Sequence, residues 1–183
     1  MRVVGGALKG RRLSPPTWEG LRPTGDKLKE TIFNVLAPRV GNARVIDLYA
    51  GTGALGIEAL SRGASLVVLV ESDRRAQQLI TKNLESCGIQ RGCVIIRATA
   101  VRALDTLKGR PDFTPFDIVL LDPPYDSEPA VALAGLDAVV AEQGIVVFEH
   151  ARRTPAPDRA GRLVKRRELS SGDSALSFYA IPI

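Results

Sequence analysis

One segment narrows the choice of fold more than any other: Val45-Ile46-Asp47-Leu48-Tyr49-Ala50-Gly51-Thr52-Gly53-Ala54-Leu55-Gly56. An apolar run with β-branched residues passes through glycines into an apolar, helix-forming run. The pattern then repeats. Strands are expected at 44–49, 66–71, 94–97, 116–121 and 145–148, with helices at 54–62, 73–87, 101–107 and 129–140. Such alternation builds an α/β doubly wound parallel sheet, because parallel neighbours need a crossover and a helix supplies a compact one. The end of the chain differs. Residues 162–169 and 176–181 read as an antiparallel hairpin joined by Ser170-Ser171-Gly172-Asp173, for seven strands in all. At the other end, Arg2-Val3-Val4 and Arg11-Arg12-Leu13 bracket Gly5, Gly6 and Gly10 and predict a small β-hairpin. A Pro-rich loop follows. Thr24 is placed to cap a helix over 25–37 that ends before Pro38. Residues 1–23 are therefore expected to be an extension and 24–183 the main domain.

At 183 residues the chain suits one core, and 45% hydrophobic with 25% charged residues is globular composition. No apolar run approaches the ~20 residues that span a bilayer, so no membrane partner is expected. Met1–Gly6 shows no secretory h-region, and a reduced cytoplasm is the expected compartment. Cys87 and Cys93 are too few for a disulfide framework or a zinc site, so no metal is expected. The charge is unevenly placed. Residues 1–30 carry a net +4 and residues 151–168 a net +5, leaving −4 between and beyond them. Basic ends around an acidic centre suit an enzyme acting on nucleic acid, although a solvated face would show the same charge.

In a doubly wound sheet, ligands bind at the carboxyl ends of the strands. Gly51 and Gly53 let a ligand approach the backbone closely. Gly51, Gly53 and Gly56 also match the dinucleotide pattern, which keeps a nicotinamide cofactor in play. Asp47 counts against it, since a carboxylate before the glycines repels a pyrophosphate and welcomes a cationic ligand. Glu71, ending the second strand, can accept from both ribose hydroxyls of either an NAD or an S-adenosylmethionine (SAM) molecule.

The fourth strand decides between them. It ends Asp122-Pro123-Pro124-Tyr125. Two prolines remove N–H donors and leave carbonyls as free acceptors. Asp122 adds a carboxylate and Tyr125 a flat ring. Together these suit a planar base with an exocyclic amino group, which would be held by both hydrogens while the ring stacks. The matching reaction is in-line attack of the amino nitrogen on a sulfonium methyl, helped by alignment and desolvation.

Asp47 to Gly56, Glu71 and Asp122 to Tyr125 resemble the class I SAM-dependent methyltransferases, a Rossmann-like fold, of the amino-group type. Val3-Val4-Gly5-Gly6, Lys9-Gly10-Arg11-Arg12-Leu13, and Leu21-Arg22-Pro23-Thr24 with Asp26, Glu30, Phe33 and Asn34 resemble the N-terminal signature of the bacterial RsmD family, small-subunit (16S) rRNA guanine-N2 methyltransferases. The resemblance implies that Asp47, Ala50, Gly51 and Gly53 lie around the amino acid part of SAM, and that Glu71, with Ser72, holds the ribose. It implies that Asp122 and the Pro123 carbonyl, in the corner with Pro124, hold the guanine amino group. Tyr125 would stack on the base, and Arg22, Pro23 and Thr24 would close over SAM. Where the family has Asp or Asn at the adenine contact, this chain has Thr99 before Ala100. Ribosomal RNA, as part of an assembling small ribosomal subunit, is the implied partner, with the protein acting as a monomer. Lys9, Arg11, Arg12, Arg152 and Arg153 are the candidate RNA-docking residues.

The remaining rivals are DNA adenine-N6 methylation by the same chemistry and a non-catalytic RNA-binding module that has kept the fold. His150 is expected to be structural, since amino methylation needs no imidazole. Trp18 would either stack on RNA or cover a core edge.

Overall fold

The computed structural model describes residues 1–21 and 24–182. In chain order the elements are α1 (Asp26–Val40), β1 (Arg44–Asp47), α2 (Ala54–Ser61), β2 (Leu66–Val70), α3 (Arg74–Ser86), β3 (Cys93–Ile96) and α4 (Ala100–Lys108). Then follow β4 (Phe116–Leu121), α5 (Pro129–Leu133), a 3-10 turn (Leu136–Ala138), β5 (Val140–Ala151), β6 (Arg159–Ala160), β7 (Leu163–Ser171) and β8 (Ser174–Ala180). The sheet order is β3-β2-β1-β4-β5-β8-β7-β6. β1 to β5 run parallel, and β8 joins β5 antiparallel. The order reverses between β1 and β4, and the crevice beyond their carboxyl ends is where such sheets bind ligands.

Each face of the sheet is covered. Phe33, Leu36, Ile57 and Ile80 of α1, α2 and α3 bury one face. Leu104 of α4, Leu133 of α5 and Leu136 bury the other. α3 forms as its pattern requires: Ala76, Leu79, Ile80 and Leu84 make the inner stripe, and the Asp73 side chain accepts from the N–H groups of Arg75 and Ala76.

Four expectations are corrected. The sheet has eight strands, because two residues, Arg159–Ala160, pair with Val164 and Leu163 at the far edge. The helix expected over 129–140 stops at Leu133; Gly135 turns left-handed at φ 71°, Val139 closes the 3-10 turn, and the β-branched Val140 opens the extended β5. α1 runs through Pro38, which sits in the last turn near the helix end. Gly25, not Thr24, stands at the α1 N-cap position, and it brings no side-chain cap.

The N-terminal segment folds back on itself through one antiparallel bridge, Arg2 to Arg12, with Val3 N–H donating to the Arg11 carbonyl at 2.9 Å. It is fastened to the main domain along α1, α2 and α3. The buried Glu58 carboxylate accepts from Val4 N–H at 2.8 Å and from Arg62 Nε at 2.8 Å. Ser61 donates its hydroxyl to the Gly5 carbonyl at 2.6 Å. The buried Lys29 ammonium donates to the Arg2 carbonyl and pairs with Asp26 at 3.1 Å. Lys29 is therefore withdrawn from the basic surface counted in the sequence.

Candidate active site

A cleft of about 770 Å³ opens over the carboxyl ends of β1 and β4. Its floor is the glycine loop. Gly51 and Gly53 adopt φ of 54° and 78°, which lets the chain turn sharply from β1 into α2. Ala50 and Gly51 line the cleft, whereas Gly53 is the α2 N-cap. Asn83 of α3 fixes this loop. Its amide donates to the Thr52 carbonyl at 2.9 Å and to the Ser14 carbonyl at 3.2 Å, and accepts from Ser14 N–H at 2.8 Å. Nothing in the sequence singled out Asn83, since its partners lie 31 and 69 residues away.

Glu71 and Ser72 form the wall after β2. The Glu71 carboxylate accepts from Gly51 N–H at 2.9 Å and from Asp73 N–H at 2.8 Å, so its orientation is fixed by backbone on two sides. Each oxygen keeps a second lone pair. Past Glu71 the cleft meets a smaller cavity of about 160 Å³, lined by Tyr49, Ser72, Thr99, Ala100 and Val101. Thr99 and Ala100 thus lie next to the main cleft, and the Thr99 hydroxyl caps α4, accepting from Arg102 N–H at 3.4 Å.

Asp47 lies beneath the floor, 1% exposed. Neither carboxylate oxygen has a hydrogen-bond partner within ordinary limits among the described residues. Burial pushes its pKa up to about 7; nearby backbone N–H groups of Tyr49 and Gly56 oppose the rise, and the Glu71 charge adds to it.

The Asp122–Tyr125 corner forms the opposite wall. Thr24 donates its hydroxyl to Asp122 at 3.3 Å, tying the start of α1 to the end of β4. Glu149, near the carboxyl end of β5, is 5% exposed and lies against the Asp122 carboxyl. Burial first, then repulsion from Glu149 and Asp47, raises Asp122 well above the usual carboxylate range. Tyr125 is anchored by its hydroxyl, 2.6 Å from Ser174 Oγ and 3.4 Å from Glu149 Oε1. Glu149 and Ser174 escaped the sequence reading. The available signal was an acid closing the apolar strand Ile145-Val146-Val147-Phe148.

Trp18 stands at the mouth of the cleft with the Arg75 guanidinium 5.1 Å from its ring centroid. His150 faces away from this chemistry. Its Nε2 is 2.9 Å from Ser177 Oγ and its Nδ1 3.0 Å from the Thr154 carbonyl, which agrees with a structural role. Arg22 and Pro23 lie outside the described residues. Lys9, Arg11, Arg12, Arg152 and Arg153 are all exposed. The turn that carries Lys9 rests on Ser61, at the end of α2 away from the glycine loop.

A family model described as "Conserved hypothetical protein 95" matches residues 1–180. Ribosomal RNA small subunit methyltransferase D of Escherichia coli (strain K12) is 34% identical over 182 residues, covering 98% of this chain and 89% of that one. The chain belongs to the RsmD family. YlbH of Bacillus subtilis (strain 168) is 38% identical over 182 residues, 98% of each chain. The solved structure of Escherichia coli yhhF superposes with a TM-score of 0.82 at 33% identity, covering 99% of this chain and 97% of that one. The fold alone is shared with a structure complexed with S-adenosylhomocysteine, 12% identical, TM-score 0.67, covering 83% of this chain and 49% of that one.

The fold of this RsmD-family chain is that of class I SAM-dependent methyltransferases, whose cofactor is SAM. The residues present fit it. A buried carboxyl without a partner among the described residues, Asp47, and the wall acids Glu71 and Asp122 can take up negative charge beside a cationic ligand. Such acids favour a cationic sulfonium and ammonium over a pyrophosphate, which counts against the nicotinamide rival.

Proposed function

We propose that the protein methylates the exocyclic N2 amino group of a guanine in small-subunit ribosomal RNA. One observation carries this reading: Asp122, Pro123, Pro124 and the anchored Tyr125 line the same cleft as the glycine loop and Glu71. A nucleobase amino group and the cofactor can therefore share one enclosed space. The named relatives support rRNA as the substrate, since Escherichia coli methyltransferase D acts, by its name, on small-subunit rRNA.

Bound SAM supplies an electrophilic methyl group on a cationic sulfur. Gly51 and Glu71 would hold and orient it, with Asp47 beneath balancing its charge. The Asp122 carboxylate and the Pro123 carbonyl would accept from the two amino hydrogens. That hydrogen bonding draws the nitrogen toward tetrahedral geometry and frees its lone pair. The Tyr125 ring, fixed through Ser174, would stack on the base and align it. The cleft reaches a base only when the base has left its stack, so base flipping is part of the proposal. Exposed Arg11, Arg12, Arg152 and Arg153, with Lys9, would meet phosphates around the target. The substrate would be an assembling small subunit, met by a monomer.

The test separates the two halves of the cleft. Asp122→Ala is expected to keep SAM affinity within about threefold and lose at least about 100-fold in methyl transfer to small subunits from a methylation-deficient strain. Glu71→Ala is expected to weaken SAM binding while RNA affinity stays unchanged. Full turnover by Asp122→Ala would contradict the assignment of this corner, and labelled methyl appearing in duplex DNA would favour the adenine reading.

A further inference from the structure

We infer that the carboxyl edge of β2 and β3 is a phosphate-docking surface, on which Arg74, Arg97 and Arg102 hold the RNA strand beside the target base. The inference rests on the rRNA reading above and says where that RNA lies.

These arginines belong to the net-acidic middle of the chain, and the fold gathers them. Val70 and Ile96 are in register, and Glu71 N–H donates to the Ile96 carbonyl at 3.1 Å, so β2 and β3 end level. Arg97 follows β3 directly. Arg74 opens α3, which packs on one face of the sheet. Arg102 sits in the first turn of α4, which packs on the other. The three therefore flank one short edge from its end and from both faces.

All three are exposed, and none has an ion pair among the described residues. The acids of these stretches are engaged. Glu71 accepts from the Gly51 and Asp73 N–H groups. Asp73 caps α3 and pairs with Arg75 at 3.3 Å. Asp105, one turn beyond Arg102, pairs with Lys108 at 3.2 Å. Neither helix has an acid in its first turn, so the positive ends of both helix dipoles add to the arginines. Such an edge draws an anion.

Its place relative to the cleft selects the anion. Arg75, next to Arg74, lines the cleft with Trp18, so the basic edge begins at the cleft mouth. Arg152 and Arg153 follow β5, at the same end of the sheet on the far side of the cleft. Strands spaced about 4.8 Å put β3 and β5 roughly 20 Å apart, with the Asp122–Tyr125 corner after β4 between them. A nucleotide chain that carries a base into that corner presents phosphates on both sides of it. Arginine suits those phosphates through its paired N–H donors.

The test compares two arginines of one strand. Arg97 follows β3 at the cleft end and Arg91 precedes it at the other; both are exposed, and each change to alanine removes one charge. Affinity for protein-free small-subunit rRNA is measured across a range of KCl. Arg97→Ala is expected to lower the slope of log affinity against log salt by roughly 0.7–0.9, and Arg91→Ala to leave it unchanged. Arg74→Ala, Arg97→Ala and Arg102→Ala combined are expected to lower it by roughly two units. In methyl transfer to small subunits the combined variant is expected to raise KM at least about tenfold, with kcat and SAM affinity within about twofold.

Equal slopes in Arg97→Ala, Arg91→Ala and the wild type would overturn the inference while leaving rRNA methylation standing. A raised KM on subunits without lost affinity for protein-free rRNA would assign the edge to an acidic protein face, and would overturn it too. Absence of methyl transfer to RNA by the wild type would overturn the proposed function, and this inference with it.

Discussion

Asp47 is held in the native state as an acid that resists ionisation. Its pKa stands near 7 against 3.8 in an open chain, because burial removes water from the charged form. The native state thus keeps a proton that the unfolded chain releases. Stability of the free protein is expected to fall as pH rises from about 4 to about 7, and urea titrations across that window check it. Asp47→Asn removes the buried charge and is expected to stabilise the free protein at pH 8 by about 1–2 kcal/mol. The same substitution is expected to weaken SAM binding roughly tenfold, since the negative charge under the floor is lost. In the parent, SAM affinity is expected to rise between pH 6 and 8, with proton release in calorimetry below pH 7. A pH-independent affinity would show that Asp47 does not face the ligand's charge. At this scale the sequence was legible where a residue's chemistry is its message. Asp47, Glu71 and Asp122 stand out in the sequence because acids at strand ends are unusual. Glu149 is an acid of the same kind near the carboxyl end of β5, and the sequence reading did not single it out. Thr24 looked like a helix cap, as its residue type allows, but its hydroxyl bonds Asp122 98 residues away.

Elements carry a second layer of design, in how the N-terminal segment is fastened. Gly6 turns left-handed, at φ 74°, against the end of α2, and a Cβ there would overlap the Ser61 carbonyl. Gly6→Ala is expected to destabilise by about 2–4 kcal/mol, measurable as a shift in the urea midpoint at constant slope. Asn83→Ala leaves the Ser14 and Thr52 backbone groups without their side-chain partner. A loss of about 2–3 kcal/mol is expected, together with weaker SAM binding, because Thr52 belongs to the glycine loop. Unchanged SAM affinity in this variant would show that the loop holds its shape without α3. The alternation of strands and helices was readable because period and breakers are local. The docking of Gly5 and Gly6 on Ser61 was not, because glycines announce a turn without naming what the turn presses against. The short α5 and the early start of β5 were missed for a related reason. Val139 and Val140 fit a helical stripe as well as a strand, and Gly135 decides between them only in three dimensions.

For the whole molecule, charge at the surface differs from charge in the sequence. Lys29 is buried on Asp26, Arg162 pairs with Glu142 at 2.7 Å, and Lys165 lies 3.1 Å from Asp158. Part of each basic end is therefore spent inside the fold or at the β6–β7 edge. Arg152 and Arg153 follow β5 directly and are exposed, on the side of the sheet where the parallel strands end. Replacing both by alanine is expected to weaken RNA binding and flatten its dependence on log salt by roughly one unit or more, with SAM affinity unchanged. An unaltered salt slope would place the phosphate contacts elsewhere. The measurement that bears most directly on the whole account is methyl transfer from labelled SAM to small subunits of a methylation-deficient strain, followed by nucleoside analysis of the RNA. The account predicts label in N2-methylguanosine at a single site. Label in N6-methyladenosine, or SAM binding with no transfer to any RNA, would contradict it.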